Sequence, residues 1–157
     1  MPDFSLKAEP GKQELTLTYE FSAPAERVFK AMTDRTMIPK WWGPRKYVTI
    51  VDKQEVKVGG VWRYLNRDAE GNEYGFHGVY HLIEAPRRIV QTFEFEGAPG
   101  HVSLESMTLG ERNGRTLATA HSVFQSVEAR DGMMQGDGME AGARETYERL
   151  EELAARM

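Results

Sequence analysis

At 157 residues, with 40% apolar and 28% charged side chains, the chain has the size and composition of a single globular domain with a real core. A net charge of -4 argues against a nucleic-acid partner, whose phosphates demand clustered cations; the doublets Arg45-Lys46 and Arg87-Arg88 are too short to change that. There is no cysteine, which excludes disulfides, thiolate chemistry and zinc sites of the Cys type. The opening MPDFSLKAEP lacks an apolar signal core and no apolar run is long enough to span a bilayer, so the expectation is a cytoplasmic protein with no membrane insertion.

Residues 1–12 are polar and carry Pro10-Gly11, which reads as a loose leader to one domain filling 1–157. Leu15, Leu17, Tyr19 and Phe21 then alternate with Thr16, Thr18 and Glu20, the pattern of a strand with one buried face. Ser22-Ala23-Pro24 stops that strand and starts a helix whose apolar side carries Val28, Phe29 and Met32. A second, shorter helix follows Thr33-Asp34 and must stop or kink around Pro39, and Trp41-Trp42-Gly43-Pro44 closes the pair with a turn. From Tyr47 the period changes to two, and strands are expected at 47–53, 60–67, 73–84, 87–96, 102–111 and 115–124. The breaks between them carry turn residues; Asn113-Gly114 is the strongest, because both residues accept positive φ.

The chain ends in one long amphipathic helix. Met139, Ala143, Tyr147, Leu150, Leu153 and Met157 recur every three or four residues on one face. Opposite lie Glu140, Arg144, Glu145, Arg149, Glu152 and Arg156, three Glu-Arg pairs four residues apart on a solvated face. Asp137 with Glu140 has capping-box spacing, and Asp131 is the alternative start. Short links between strands imply an antiparallel meander. The expected fold is therefore α+β of the helix-grip kind: a curved seven-stranded antiparallel sheet around a long C-terminal helix, with two short helices after the first strand.

The segments FSAPAERVFKAMTD, WWGP, VGGVWRYLNRDAEGNEYGFHGVYHLIEAPRRIVQTFEFE, LATAHSVF and GMEAGARETYERLEEL, in this order and spacing, resemble the SRPBCC (START/Bet v-like) superfamily. The branch most similar is the one related to the C-terminal domain of heat-shock-chaperone ATPase activators (AHSA-type), over roughly residues 13–155. Members often have Gly-Trp where this chain has Gly138-Met139, and tryptophan at the position of Phe93. The resemblance implies a helix-grip fold with a hydrophobic cavity. It does not imply one activity, since members include lipid carriers, hormone binders, cyclases and co-chaperone domains.

The residues themselves favour binding over catalysis. Trp62 and Tyr64 alternate on one expected strand, Tyr74, Phe76 and Tyr80 on the next, and Phe93 and Phe95 on the third, concentrating rings where this fold has its cavity. Tyr64, Tyr80 and Tyr147 add hydroxyls, while Met107, Met133, Met134 and Met139 add adaptable walls. Gly138 and Gly142 leave a groove along the helix, either for close approach of a strand or as the roof of the cavity. The expected ligand-binding set is Trp42, Trp62, Tyr64, Phe76, Tyr80, Phe93, Phe95, Met107, His121, Met139, Gly142 and Tyr147, holding a small apolar or amphipathic molecule in a monomer or homodimer.

No nucleophile constellation, phosphate loop or dinucleotide fingerprint is present, and no cofactor is expected. His77 and His81 would chelate on a helix, but along a strand they stand roughly 13 Å apart, so no metal site is expected. Glu94 and Glu105 form a weak candidate carboxylate pair. The alternative to binding is a cyclase or aldol-type enzyme using the same cavity, with His121 as acid and base. A second alternative, from the resemblance, is a co-chaperone-like ATPase-activator domain.

Overall fold

The computed structural model describes residues 4–135 and 138–157. Its elements are β1 (Phe4–Lys7), β2 (Glu14–Phe21), α1 (Ala25–Thr33), a 3-10 turn (Ile38–Lys40), β3 (Val48–Gln54), β4 (Val61–Arg67), β5 (Glu73–Glu84), β6 (Arg88–Phe95), β7 (Val102–Arg112), β8 (Arg115–Val123), α2 (Val127–Met133) and α3 (Gly138–Arg156). The strands make one antiparallel sheet in the order β1-β2-β8-β7-β6-β5-β4-β3. From β3 to β8 the sheet is a meander. β2 pairs along its whole length with β8, from Glu14 opposite Val123 to Phe21 opposite Thr116. Register breaks at Val51/Lys53 and Tyr80/Leu82 bend the ladder, as bulges do, and the sheet curves around α3 in a helix grip.

The sheet has eight strands, not seven, because the leader is not loose. Phe4–Lys7 pairs with β2, Phe4 opposite Tyr19 and Lys7 opposite Thr16. Phe4 is buried beside the ring of Tyr147, 6.2 Å away, and the Arg144 guanidinium lies over it, 4.5 Å from its ring centre. The alternation Phe-Ser-Leu-Lys is a strand pattern only four residues long, too short to stand out before Pro10-Gly11.

A further helix, α2, precedes α3. Ser126 caps it, its hydroxyl oxygen accepting from Ala129 N–H at 3.0 Å. Its one fully buried charged residue, Arg130, donates to the carbonyls of Glu14 and Glu9, both at 2.8 Å, fastening the β1–β2 turn to the end of the sheet. Asp131, the alternative start for the long helix, lies inside α2, and the Asp137–Glu140 capping box falls partly outside the described residues.

α3 is anchored at its C-terminal half. Leu150 and Ala154 are completely buried, with Leu153 nearly so, in one core with Phe21, Val28 and Ala31. Ser22 locks the corner between β2 and α1 to this helix: its N–H and hydroxyl donate to the two oxygens of Glu151 at 3.0 and 2.6 Å. The polar face differs from expectation. Glu140–Arg144 forms at 3.6 Å, but Glu145 accepts the backbone N–H of Arg45 and Glu152 accepts its guanidinium at 2.7 Å. Arg149 turns inward and donates to the carbonyl of Gly43.

Candidate functional site

The first half of α3 carries small residues where the second half carries leucines, and this decides where space remains. Leu150 and Leu153 fill the gap between helix and sheet beside α1; Gly138, Gly142 and Ala143 do not. The result is a cavity of about 510 Å³ between the concave face of the sheet and the N-terminal half of α3, within the usual range for small-molecule sites.

One wall is the turn Trp41–Pro44. Gly43 adopts φ +83, and a Cβ there would come within 3.0 Å of the Asn66 side chain. The turn is held from two sides. Thr49 donates its hydroxyl to the Trp42 carbonyl at 2.6 Å and lies 2.8 Å from the Asn66 amide oxygen, while Arg149 and the Glu145 carboxylate grip it from α3. Trp42 is thereby set edge-on to Tyr64 and Phe76, with ring centres 5.0 and 5.2 Å apart. Trp62 packs against Tyr64 at 4.8 Å and Phe93 at 6.0 Å, so the aromatic wall is continuous across β4, β5 and β6. On the helix side Tyr147 stacks on Tyr19 at 5.7 Å and 16°. Burial pushes the hydroxyls of Tyr64, Tyr80 and Tyr147 above the ordinary tyrosine range, so all three stay neutral.

Of the residues expected from sequence, Trp42, Trp62, Tyr64, Phe76, Tyr80, Phe93, Met107, Met139, Gly142 and Tyr147 all line this cavity. Two do not. Phe95 lines a smaller neighbouring cavity of about 290 Å³ with Tyr47 and Tyr74, screened from the main one by the Phe76 ring 5.1 Å away. His121 is on the other side of the sheet: Ala118 and Ser122 are buried and Ala120 lines the cavity, so strand alternation turns His121 outward, where its Nε2 lies 2.8 Å from Glu14 Oε2. An acid-base role for His121 in the cavity is therefore corrected. Met133 and Met134 belong to the α2 end and are not wall residues.

The candidate pair Glu94 and Glu105 is split. Glu94 faces outward, 3.3 Å from His77, whose other nitrogen lies 2.8 Å from Glu96. Glu105 faces inward and lines the cavity. The sequence places it only in a candidate carboxylate pair and outside the ligand-binding set, which also omits Gln91, Asn66 and Thr146. A signal was available: Glu105 stands two residues before Met107 on one strand and so shares its face. Both carboxyl oxygens accept serine hydroxyls, from Ser103 at 2.6 Å and Ser122 at 2.7 Å. Burial raises its pKa above the usual carboxylate value, against the lowering effect of those two donors and of His121 across the sheet.

Compared with family models, residues 22–155 match the one described as Activator of Hsp90 ATPase homolog 1-like protein. No curated protein sequence matches significantly. Among solved structures, a protein from Arthrobacter aurescens superposes with a TM-score of 0.88 at 26% identity, covering 98% of this chain and 92% of that one. A protein from Rhodobacter sphaeroides gives 0.90 at 22% identity, covering 99% of both chains. One from Mycobacterium smegmatis gives 0.84 at 24%, covering 95% and 94%. Among the described residues no helix is long and apolar enough to cross a membrane.

Proposed function

This chain belongs to the Activator of Hsp90 ATPase homolog 1-like family and through it to the SRPBCC superfamily, and from that premise we propose that it binds a small hydrophobic or amphipathic molecule in the cavity between its sheet and α3. The observation that carries the reading is the cavity itself. About 510 Å³ is left open between packed elements, walled by Trp42, Trp62, Phe76, Phe93 and Tyr147 and roofed by glycines. A merely structural core would fill that space, since unfilled apolar volume costs stability at roughly 24 cal/mol per Å³.

Three tryptophans in the wall, Trp41, Trp42 and Trp62, give the test a direct readout. Titration with 2-naphthylmethanol, a neutral apolar probe, should move the indole N–H signals of Trp42 and Trp62 saturably in a ¹H–¹⁵N spectrum, and that of Trp41 less. Trp41 also lines the cavity, but its indole N–H is committed to the Ala31 carbonyl at 2.8 Å. Non-saturable shifts, or shifts spread over the outer face, would defeat the reading.

The family description supports a second reading, activation of a heat-shock chaperone's ATPase. It predicts stimulation of that ATPase by the purified chain, unaffected by a molecule filling the cavity.

A further inference from the structure

A polar row crosses the floor of the cavity. The strand register sets Tyr80 opposite Gln91, Gln91 opposite Glu105 and Glu105 opposite Ser122, all on the inner face. At its centre Glu105 is held by two hydroxyls at 2.6 and 2.7 Å, lengths typical of donors to an ionised carboxylate. Serines orient the carboxylate but bring no charge. Among the described residues that line the cavity there is no lysine, arginine or histidine. The imidazole of His121 is on the opposite face with Glu14 and acts on Glu105 only electrostatically across the sheet, and the group facing Glu105 from α3 is the neutral Tyr147 hydroxyl. A carboxylate withdrawn from water without a cation beside it in the cavity is costly, and the described lining residues supply none.

The rest of the wall has the same electrostatic sense. Trp42, Trp62, Tyr64 and Phe93 present π systems whose faces are electron-rich and attract cations. Carboxylate and rings together favour a positive group on an apolar body and repel an anionic one.

Building on the cavity as a ligand site, we propose that its ligand is a hydrophobic amine, an aromatic or alkyl ammonium whose N–H groups donate to Glu105 while its apolar body lies among Trp42, Trp62 and Phe93. The Gln91 side-chain oxygen, one strand away, is the second acceptor.

The test is calorimetric titration of the full chain near neutral pH with three probes sharing one ring system: 2-naphthylmethylamine, 2-naphthylmethanol and 2-naphthoate. The amine should bind at least about tenfold more tightly than the alcohol, the increment of one close charge interaction, with the carboxylate weakest. In Glu105→Gln the amine should lose that advantage, binding no more tightly than the alcohol binds the same variant. An alcohol that binds the parent as tightly as the amine, or an amine preference that survives in Glu105→Gln, overturns the amine assignment and leaves the cavity reading standing. The comparison of probes on the parent protein decides the matter even where the variant folds poorly. If none of the three probes binds, the cavity reading falls and the amine assignment with it.

Discussion

Replacing Gly142 with leucine tests the division of labour along α3. A Cβ at this position would meet only Pro44 Cγ, at 3.5 Å, an ordinary van der Waals contact with no strand backbone in range. The helix and sheet backbones therefore do not touch at Gly142, and the side chain added there enters the cavity. Removing a glycine from a helix interior gains about 0.8 kcal/mol. Burying a leucine side chain gains roughly 1.5–3 kcal/mol when complete, of which about half applies on a cavity wall. The sum is about 2 kcal/mol, or a rise in Tm of about 4–8 °C for a chain of this size. The same side chain occupies ligand space, and overpacking of about 1–3 kcal/mol in the complex weakens 2-naphthylmethanol by roughly 5- to 150-fold. Gly142→Ala is the control: it should gain about 0.8–1.0 kcal/mol and bind almost as the parent does. Thermal melts by circular dichroism and calorimetric titration give both quantities. A leucine variant that melts below the parent would show close backbone approach after all. One that melts higher and binds unchanged would place the ligand elsewhere.

Glu105→Gln should change the pH dependence of stability. Because the folded pKa of Glu105 is raised, the folded state holds the proton over a window where the unfolded chain has lost it, and stability falls as pH rises from the unfolded value through the folded one. The variant's stability relative to the parent should accordingly grow as pH rises through and above the ordinary glutamate range in urea melts; a constant difference would refute this. Arg130→Ala removes two charge-assisted hydrogen bonds and leaves the carbonyls of Glu9 and Glu14 without that donor. It should cost about 3 kcal/mol and speed amide exchange in β1 first, whereas uniform exchange across the sheet would mean Arg130 does not hold that end. Gly78→Ala should lower Tm sharply, since its Cβ would lie 1.9 Å from the Thr92 carbonyl oxygen and 2.6 Å from Trp62 Nε1. An unchanged melt would show that β5 and β6 separate freely at the bulge.

Where periodicity was long, the sequence was explicit about the fold. β5 runs from Glu73 to Glu84, as its turn-bounded pattern predicts, and Asn113 with Gly114 takes φ values of 54 and 75 in the hairpin between β7 and β8. What escaped was short or interrupted. β1 offers four alternating residues, and α2 carries Gly132 inside a run otherwise marked only by its Ser126 cap. Arg149 illustrates a different limit. It sits on the polar side of the helical wheel but turns inward because the Gly43 carbonyl needs a donor, a demand set by a distant turn. The site followed the same logic. Ring-rich strands identified most of the wall, since β alternation carries Trp62, Tyr64, Phe76 and Phe93 inward together. His121 was misplaced because its strand is small and weakly patterned: Ala118, Ala120 and Ser122 form the inner face, leaving the largest side chain of the stretch to look like the inward one.

The central claim is that the space between the sheet and the N-terminal half of α3 holds the ligand. A crystal structure of the chain grown with 2-naphthylmethylamine measures this directly. The account predicts density for the naphthalene ring between Trp62 and Met139, with the amine nitrogen within hydrogen-bond distance of Glu105. Density for the probe only on the outer face of the sheet, or collapse of the cavity around Met107 and Met139, would contradict it.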